Sequence, residues 1–239
     1  LADSASALQA LGLLLRPWTW NKNSARAELK RSIEAKLGGQ VFLFGAGRQG
    51  LLALLQSLNI CSGDEVIVQA YTCVVVPNPI TATGAKVIYA DIDPDTLGMD
   101  MESVERLTTP KTKAIICQHT FGIPAPLSDL KDLCARKNIP LIEDCAHVLP
   151  DTKGPAGIAT TAEYVMVSFG RDKAISGVAG GAMIIRNKEV AERIAKIEQA
   201  AKPMSFSMIA RLLLYPIIYS IARPLYGLWI GKALLALSG

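Results

Sequence analysis

The sequence predicts an α/β fold: three layers, α/β/α, around a mostly parallel sheet. Short runs rich in valine, isoleucine and alanine recur along the chain from residue 41, helical patterns separate several of them, and the runs are apolar throughout rather than alternating. Continuous apolar strands interleaved with helices indicate a sheet covered on both faces. Half of the 239 residues are hydrophobic, enough for one full core and part of a second domain.

Taken in order, residues 7–20 form an apolar segment that Pro17 interrupts, too short to span a bilayer and expected to pack on another part of the protein. Asn23-Ser24 reads as a helix start, with the helix running from Ala25 to Leu37 and stopping at Gly38-Gly39. The expected strands are Val41–Phe44, Val66–Val68, Val87–Ala90, Ala114–Cys117, Leu141-Ile142, Tyr164–Val167 and Ala182–Ile185. Between them, helices are expected at Gln49–Leu58, Val74–Thr83, Met101–Leu107 and Leu127–Lys137. A further helix, Lys188–Lys202, ends before Pro203.

The formal net charge is +4, with both signs interspersed through most of the length, so no nucleic-acid footprint stands out. Five scattered cysteines (Cys61, Cys73, Cys117, Cys134 and Cys145) fit reduced thiols in a cytoplasmic protein. With no CxxC pair or Cys/His cluster along the chain, no metal site is expected. The N-terminal stretch lacks the pattern of a signal peptide.

Three loops carry chemistry. Gly45-Ala46-Gly47-Arg48-Gln49-Gly50 follows a strand and opens a helix, matching G-x-G-x-x-G. A dinucleotide site would need an acidic residue ending the next strand, and that strand ends instead in Gln69-Ala70-Tyr71. What remains is a glycine-rich helix start whose N–H groups suit a phosphate. In Ile142-Glu143-Asp144-Cys145-Ala146-His147, Asp144 lies just past an apolar strand, where a carboxylate needs a cationic partner; a structural ion pair and a cofactor contact are equal alternatives for it. The third loop, Ser168-Phe169-Gly170-Arg171-Asp172-Lys173, sets a lysine between an apolar run and the glycines Gly177, Gly180 and Gly181. Partial desolvation there would free a nucleophilic amine. Phosphate anchor, carboxylate and lysine, in that order, are the parts that pyridoxal 5'-phosphate requires.

Residues 63–68 (Gly-Asp-Glu-Val-Ile-Val), 87–96, 109–116, 142–147 and 168–173 together resemble the DegT/DnrJ/EryC1/StrS aminotransferase family over about residues 30–200. The resemblance implies the large domain of a fold-type-I pyridoxal-phosphate transferase, acting as an aminotransferase on nucleotide-linked keto-sugars with an amino-acid donor such as glutamate, in surface polysaccharide or glycan biosynthesis. It assigns Lys173 as the lysine that carries the cofactor, Asp144 as the carboxylate facing the pyridine nitrogen, Ser168 and Gly47 to the phosphate, and His147 to a place beside the cofactor. Two positions depart from the family pattern: Arg48 stands where threonine or serine is usual, and Cys73 where an aromatic residue commonly stacks on the ring, with Tyr71 two residues away. Other readings are a different pyridoxal-phosphate reaction such as sugar dehydration, whose enzymes replace the lysine kept here, and a non-catalytic or membrane-associated relative.

The family pattern implies a homodimer and a smaller C-terminal domain that this chain does not contain. The expected organisation is an N-terminal apolar segment (1–29), a cofactor domain (30–202) and a hydrophobic helical segment (203–239) leading to that domain. Residues 204–239 hold no acidic residue, and Pro216 and Pro224 are expected to break any helix there. The segment suits either burial against the absent C-terminal domain or the partner subunit, or peripheral contact with a membrane, in a cytoplasmic protein.

Overall fold

The structure, a computed structural model, describes residues 4–20, 23–148, 157–229 and 231–233. The chain opens with α1 (Ser4–Leu14), a 3-10 turn (Pro17–Thr19) and α2 (Asn23–Leu37). Gly38 and Gly39 stop α2 by taking left-handed backbone (φ 71° and 74°), while the Gly38 N–H closes the last turn on Glu34 O at 2.8 Å. There follow β1 (Gln40–Phe44), α3 (Gly47–Ser57), β2 (Glu65–Gln69), α4 (Pro77–Ala82), β3 (Lys86–Ala90), α5 (Met101–Leu107), β4 (Thr112–Gln118), α6 (Leu127–Lys137), β5 (Leu141–Asp144), β6 (Tyr164–Ser168), β7 (Gly181–Ile185), α7 (Lys188–Ala200) and α8 (Phe206–Ala222). The seven strands stand where the apolar runs predict them.

They form one sheet in the order β1-β7-β6-β5-β4-β2-β3. The pairs β2–β3, β2–β4, β4–β5 and β5–β6 are parallel, and β7 runs antiparallel to both β1 and β6. Successive residues of a strand serve opposite faces. Val66, Val68, Ile116 and Met183 join a core beneath α3, α4 and α7. Ile67 and Ile115 pack against α5 and α6 on the other face. On that second face, nearer β1, Ile33 and Leu37 of α2 close over Val41, Val165 and Ile184.

The edge strand β1 does not offer its outward N–H groups to solvent. Val41 N–H donates to Glu34 Oε1 (3.0 Å) and Leu43 N–H to Glu198 Oε1 (2.8 Å). Glu198, on α7, also takes Lys30 (2.7 Å) and Arg26 (3.3 Å) from α2. One carboxylate thus ties α2, α7 and β1 together and blocks strand addition at that edge.

Three expectations need correction. Helix α3 begins at Gly47, two residues early, so Gly47 and Arg48 lie in its first turn. The helix expected over 74–83 is regular only at Pro77–Ala82: Pro77 and Pro79 lack the N–H groups that would bond to the preceding turn, which leaves 73–76 as a turn. Pro216 does not break α8, which runs unbroken to Ala222. A proline inside a helix costs about 3 kcal/mol. Here Pro216 is buried and α8 packs along α1, burial that offsets the lost bond. That packing, with Trp20 against Phe206 at 5.6 Å, supplies the partner expected for the N-terminal apolar segment.

Candidate active site

The antiparallel β7 makes β1 point the same way as β4, β5 and β6, so α3 starts at the edge where those strands end. Functional clefts of open α/β sheets lie at that edge. Gly47 and Arg48 at the start of α3, Cys73 in the turn after β2, Asp144 and His147 at the end of β5, Ser168 at the end of β6 and Lys173 in the β6–β7 loop line a single cleft, with Gln118, Met166 and Val75. All seven residues singled out from the sequence are thereby brought together across positions 47–173.

The start of α3 is a space made by small residues. A Cβ on Gly47 would stand 2.9 Å from Met166 Sδ and 3.3 Å from Ser168 Cβ. A Cβ on Gly181 would come within 2.4 Å of Gly47 N, so only glycine at the head of β7 lets the helix sit this close to the sheet. Ala46, the N-cap, brings no side-chain acceptor, and the amides at this end carry the positive pole of the helix. Arg48 is exposed at the mouth of the cleft.

Asp144 is 1% exposed, and its Oδ1 accepts one N–H, from Ala146 at 2.9 Å. Burial pushes its carboxyl up from the ordinary 3.8 to about 6, against the opposing pull of the Ala146 N–H and of the Lys173 charge. Lys173 is itself mostly buried, its Nζ 3.5 Å from Asp172 Oδ2. Its loop is pinned at both ends of a glycine-rich turn: Phe169 N–H donates to Gly180 O (2.9 Å) and Gly177 N–H to Phe169 O (2.9 Å). Arg171, in the same loop, lies over the Tyr215 ring of α8 at 4.1 Å. Burial, then the Lys173 charge, lower the pKa of His147, with Asp172 opposing.

Several contributors were not visible in the sequence. Phe121 stacks on the His147 imidazole (5.7 Å between ring centres, 2° between planes), and its N–H donates to His147 Nδ1 at 3.4 Å. Tyr71 meets Phe121 edge-on at 6.2 Å, so it belongs to this ladder and not to the cleft wall, which at that point is Cys73. Thr72 Oγ1 donates to Gln118 Oε1 (2.6 Å) beside it. Behind Asp144, on the other face of β5, the fully buried His119 and Glu143 pair at 3.0 Å with Cys145 alongside. Ala125 N–H donates to His119 Nδ1 (3.1 Å), so Nε2 carries the proton and donates to Glu143. No local spacing announces this cluster: Glu143 and Cys145 are two residues apart, but His119 reaches them only from the end of the neighbouring strand. The single hint was the glycine after Phe121, at a turn where Phe121 itself takes φ 53°.

Residues 6–208 match the DegT/DnrJ/EryC1/StrS aminotransferase family. The chain belongs to that family. It is 34% identical over 194 residues to a UDP-4-amino-4-deoxy-L-arabinose–oxoglutarate aminotransferase of Shewanella sediminis (strain HAW-EB3), covering 80% of this chain and 49% of the relative. Against a GDP-perosamine synthase of Escherichia coli O157:H7 it is 35% identical over 142 residues, 59% of this chain and 39% of the relative. Among solved structures, NtdA of Bacillus subtilis, with bound cofactor PMP, superposes with a TM-score of 0.73 at 20% identity, over 95% of this chain and 57% of that one. The chain spans between 35% and 49% of the length of such curated relatives.

DegT/DnrJ/EryC1/StrS aminotransferases use pyridoxal 5'-phosphate, and this cleft fits that group on its own features. A buried, weakly solvated carboxylate shares the cleft with a mostly buried amine, and the missing Cβ of Gly47 leaves a hollow between the start of α3 and the Ser168 hydroxyl. The chemistry of the donors suits a protonated ring nitrogen at one end and a phosphate at the other.

Proposed function

We propose that the protein to which this chain belongs is a pyridoxal-phosphate-dependent aminotransferase that moves an amino group, with glutamate as donor, onto a nucleotide-linked keto-sugar for surface polysaccharide or glycan assembly. The observation that carries the proposal is the convergence of Lys173, Asp144 and the start of α3 on one cleft. Ser168, Gly47 and the α3 amides hold the phosphate, and Arg48 adds a cation at the cleft mouth. Bound there, the cofactor supplies an electron sink for the carbanion left when a proton departs the amino-bearing carbon. Asp144, costly to bury alone, would be a favourable anion for a protonated ring nitrogen. Lys173 Nζ would hold the cofactor and, as a mostly buried amine, would move a proton between the substrate carbon and the cofactor as general base and acid. His147, its pKa lowered, presents an uncharged imidazole held flat by Phe121. Relatives named for nucleotide-linked sugars support the substrate class. On the same reading the protein is a cytoplasmic homodimer that makes peripheral membrane contact through residues 204–239.

The test uses the full-length protein loaded with cofactor. Glutamate should shift the visible absorption band, a nucleotide-linked keto-sugar should restore it, and borohydride should trap an adduct on Lys173. Lys173→Ala should lose both the band shift and the adduct. A trapped adduct persisting in that variant refutes the assignment of Lys173, and a band indifferent to glutamate refutes the donor.

A further inference from the structure

Helices α1 and α8, from opposite ends of the described chain, pack on each other, yet between them they bury only Ala10, Pro216 and Ala222. Both are apolar nearly all round, a composition at odds with full solvation. With the turn that follows α1 and the residues that follow α8, they leave large apolar side chains exposed: Leu8 is 70% exposed, Leu15 69%, Trp18 70%, Phe206 54%, Ile221 54% and Trp229 75%. Exposed apolar side chains in this number on one helix pair and its flanks mark a contact site.

Charge selects the occupant. Residues 4–20 and 203–233 contain no aspartate or glutamate, while Arg16, Arg211, Arg223 and Lys232 are all exposed. A second copy docking through the same face would set these cations against their own counterparts with no carboxylate to pair them. No helix among the described residues is long and apolar enough to cross a membrane. Alpha8, about 25 Å long at 1.5 Å per residue, suits lying along a surface. Lys232 Nζ sits 4.3 Å from the Trp229 ring centre and 5.3 Å from that of Tyr226, a cation and two amphipathic rings grouped as at a headgroup boundary.

We infer that α1 and α8 together form a docking surface for an anionic lipid bilayer, entered by the exposed leucines, Phe206 and the two exposed tryptophans and held by the four cations. This deepens the peripheral contact proposed above for the C-terminal segment by adding α1 and naming the lipid charge. It does not depend on the aminotransferase reading.

The experiment is flotation of the full-length holoenzyme with vesicles of phosphatidylglycerol mixed with phosphatidylcholine, and with vesicles of phosphatidylcholine alone. The expected result is flotation with the anionic vesicles only, weakened by added salt. Each cation at an anionic surface contributes about fivefold in partitioning, so the variant combining Arg211→Gln, Arg223→Gln and Lys232→Gln should bind on the order of a hundredfold more weakly. Trp18→Ser with Trp229→Ser should also weaken binding, with soluble aminotransferase activity unchanged. Failure to float with either vesicle overturns the inference, as does flotation that the charge variant does not weaken. An oligomer that the tryptophan variant converts to monomer, without loss of flotation, would assign the face to protein contact instead and overturn it as well.

Discussion

Asp144 carries a stability cost that should be measurable without any turnover. In the folded chain burial raises its carboxyl from 3.8 to about 6, a difference of about two pH units, or about 3 kcal/mol at 1.36 kcal/mol per unit. For a raised carboxyl, the native state retains a proton that the unfolded chain has already released. Its contribution is therefore most favourable below about pH 4, is lost as pH rises from about 4 to 6, and stays lost at neutral pH. Asp144→Asn keeps an oxygen for the Ala146 N–H and removes the charge. The cofactor-free variant should be more stable than wild type by up to about 3 kcal/mol near pH 7.5, and nearly equal to it near pH 4. Urea denaturation of the full-length apoprotein at both pH values checks this through the transition midpoints. With cofactor bound the order should shrink or invert, because a cationic ring offsets the burial cost only in the wild type, and the variant should lose most of its turnover. An apo variant equal to or less stable than wild type near pH 7.5 would refute the argument that Asp144 is held ionised at the protein's expense.

Other outcomes follow from close contacts. Gly181→Ala forces a Cβ to within 2.4 Å of Gly47 N, and since backbone must move, the fold should lose at least about 1–3 kcal/mol; denaturation measures this, and cofactor titration should show weaker binding than in the conservative control Ala182→Gly. Glu198→Gln leaves Arg26 and Lys30 without their anion, for a loss of about 1–3 kcal/mol; the Leu43 amide should exchange faster, read by hydrogen exchange. Tyr215→Leu removes the ring beneath Arg171, a cation–π contact of about 0.5–1 kcal/mol, and should raise protease susceptibility at the Lys173 loop while leaving global stability within that range.

How much could be read beforehand depended on where the determining contacts lie. Strands such as Val66–Val68 and Ala182–Ile185 are legible because burial on both faces makes them continuous apolar runs. Gly47, Ser168 and Lys173 are legible because each sits in a loop of distinctive composition beside such a run. The α4 boundary was obscured by Pro77 and Pro79, whose missing N–H groups override the apolar spacing. Phe121, the ring that positions His147, and the His119–Glu143 pair depend on neighbours from β4 and β5 that only the sheet register brings together. The union of α1 with α8 was equally hidden, since a helix apolar all round does not say which side finds a partner.

The strand order also governs when this cleft comes into being. β1 is made first but pairs only with β7, Val41 lying against Ile184, whereas β2, β3, β4 and β5 join through short crossovers among themselves. On a chain emerging from the ribosome, the central strands can condense while β1 and α3 wait for residues 181–185, and closing so long a loop carries an entropic cost that local pairings avoid. The seat of α3 against Gly181 is consequently among the last features to form. In pulsed hydrogen exchange during refolding, the Phe42 amide should gain protection after Ile67 and Ile115. On the proposed site, a nascent chain would gain the hollow at Gly47 only once β7 is in place.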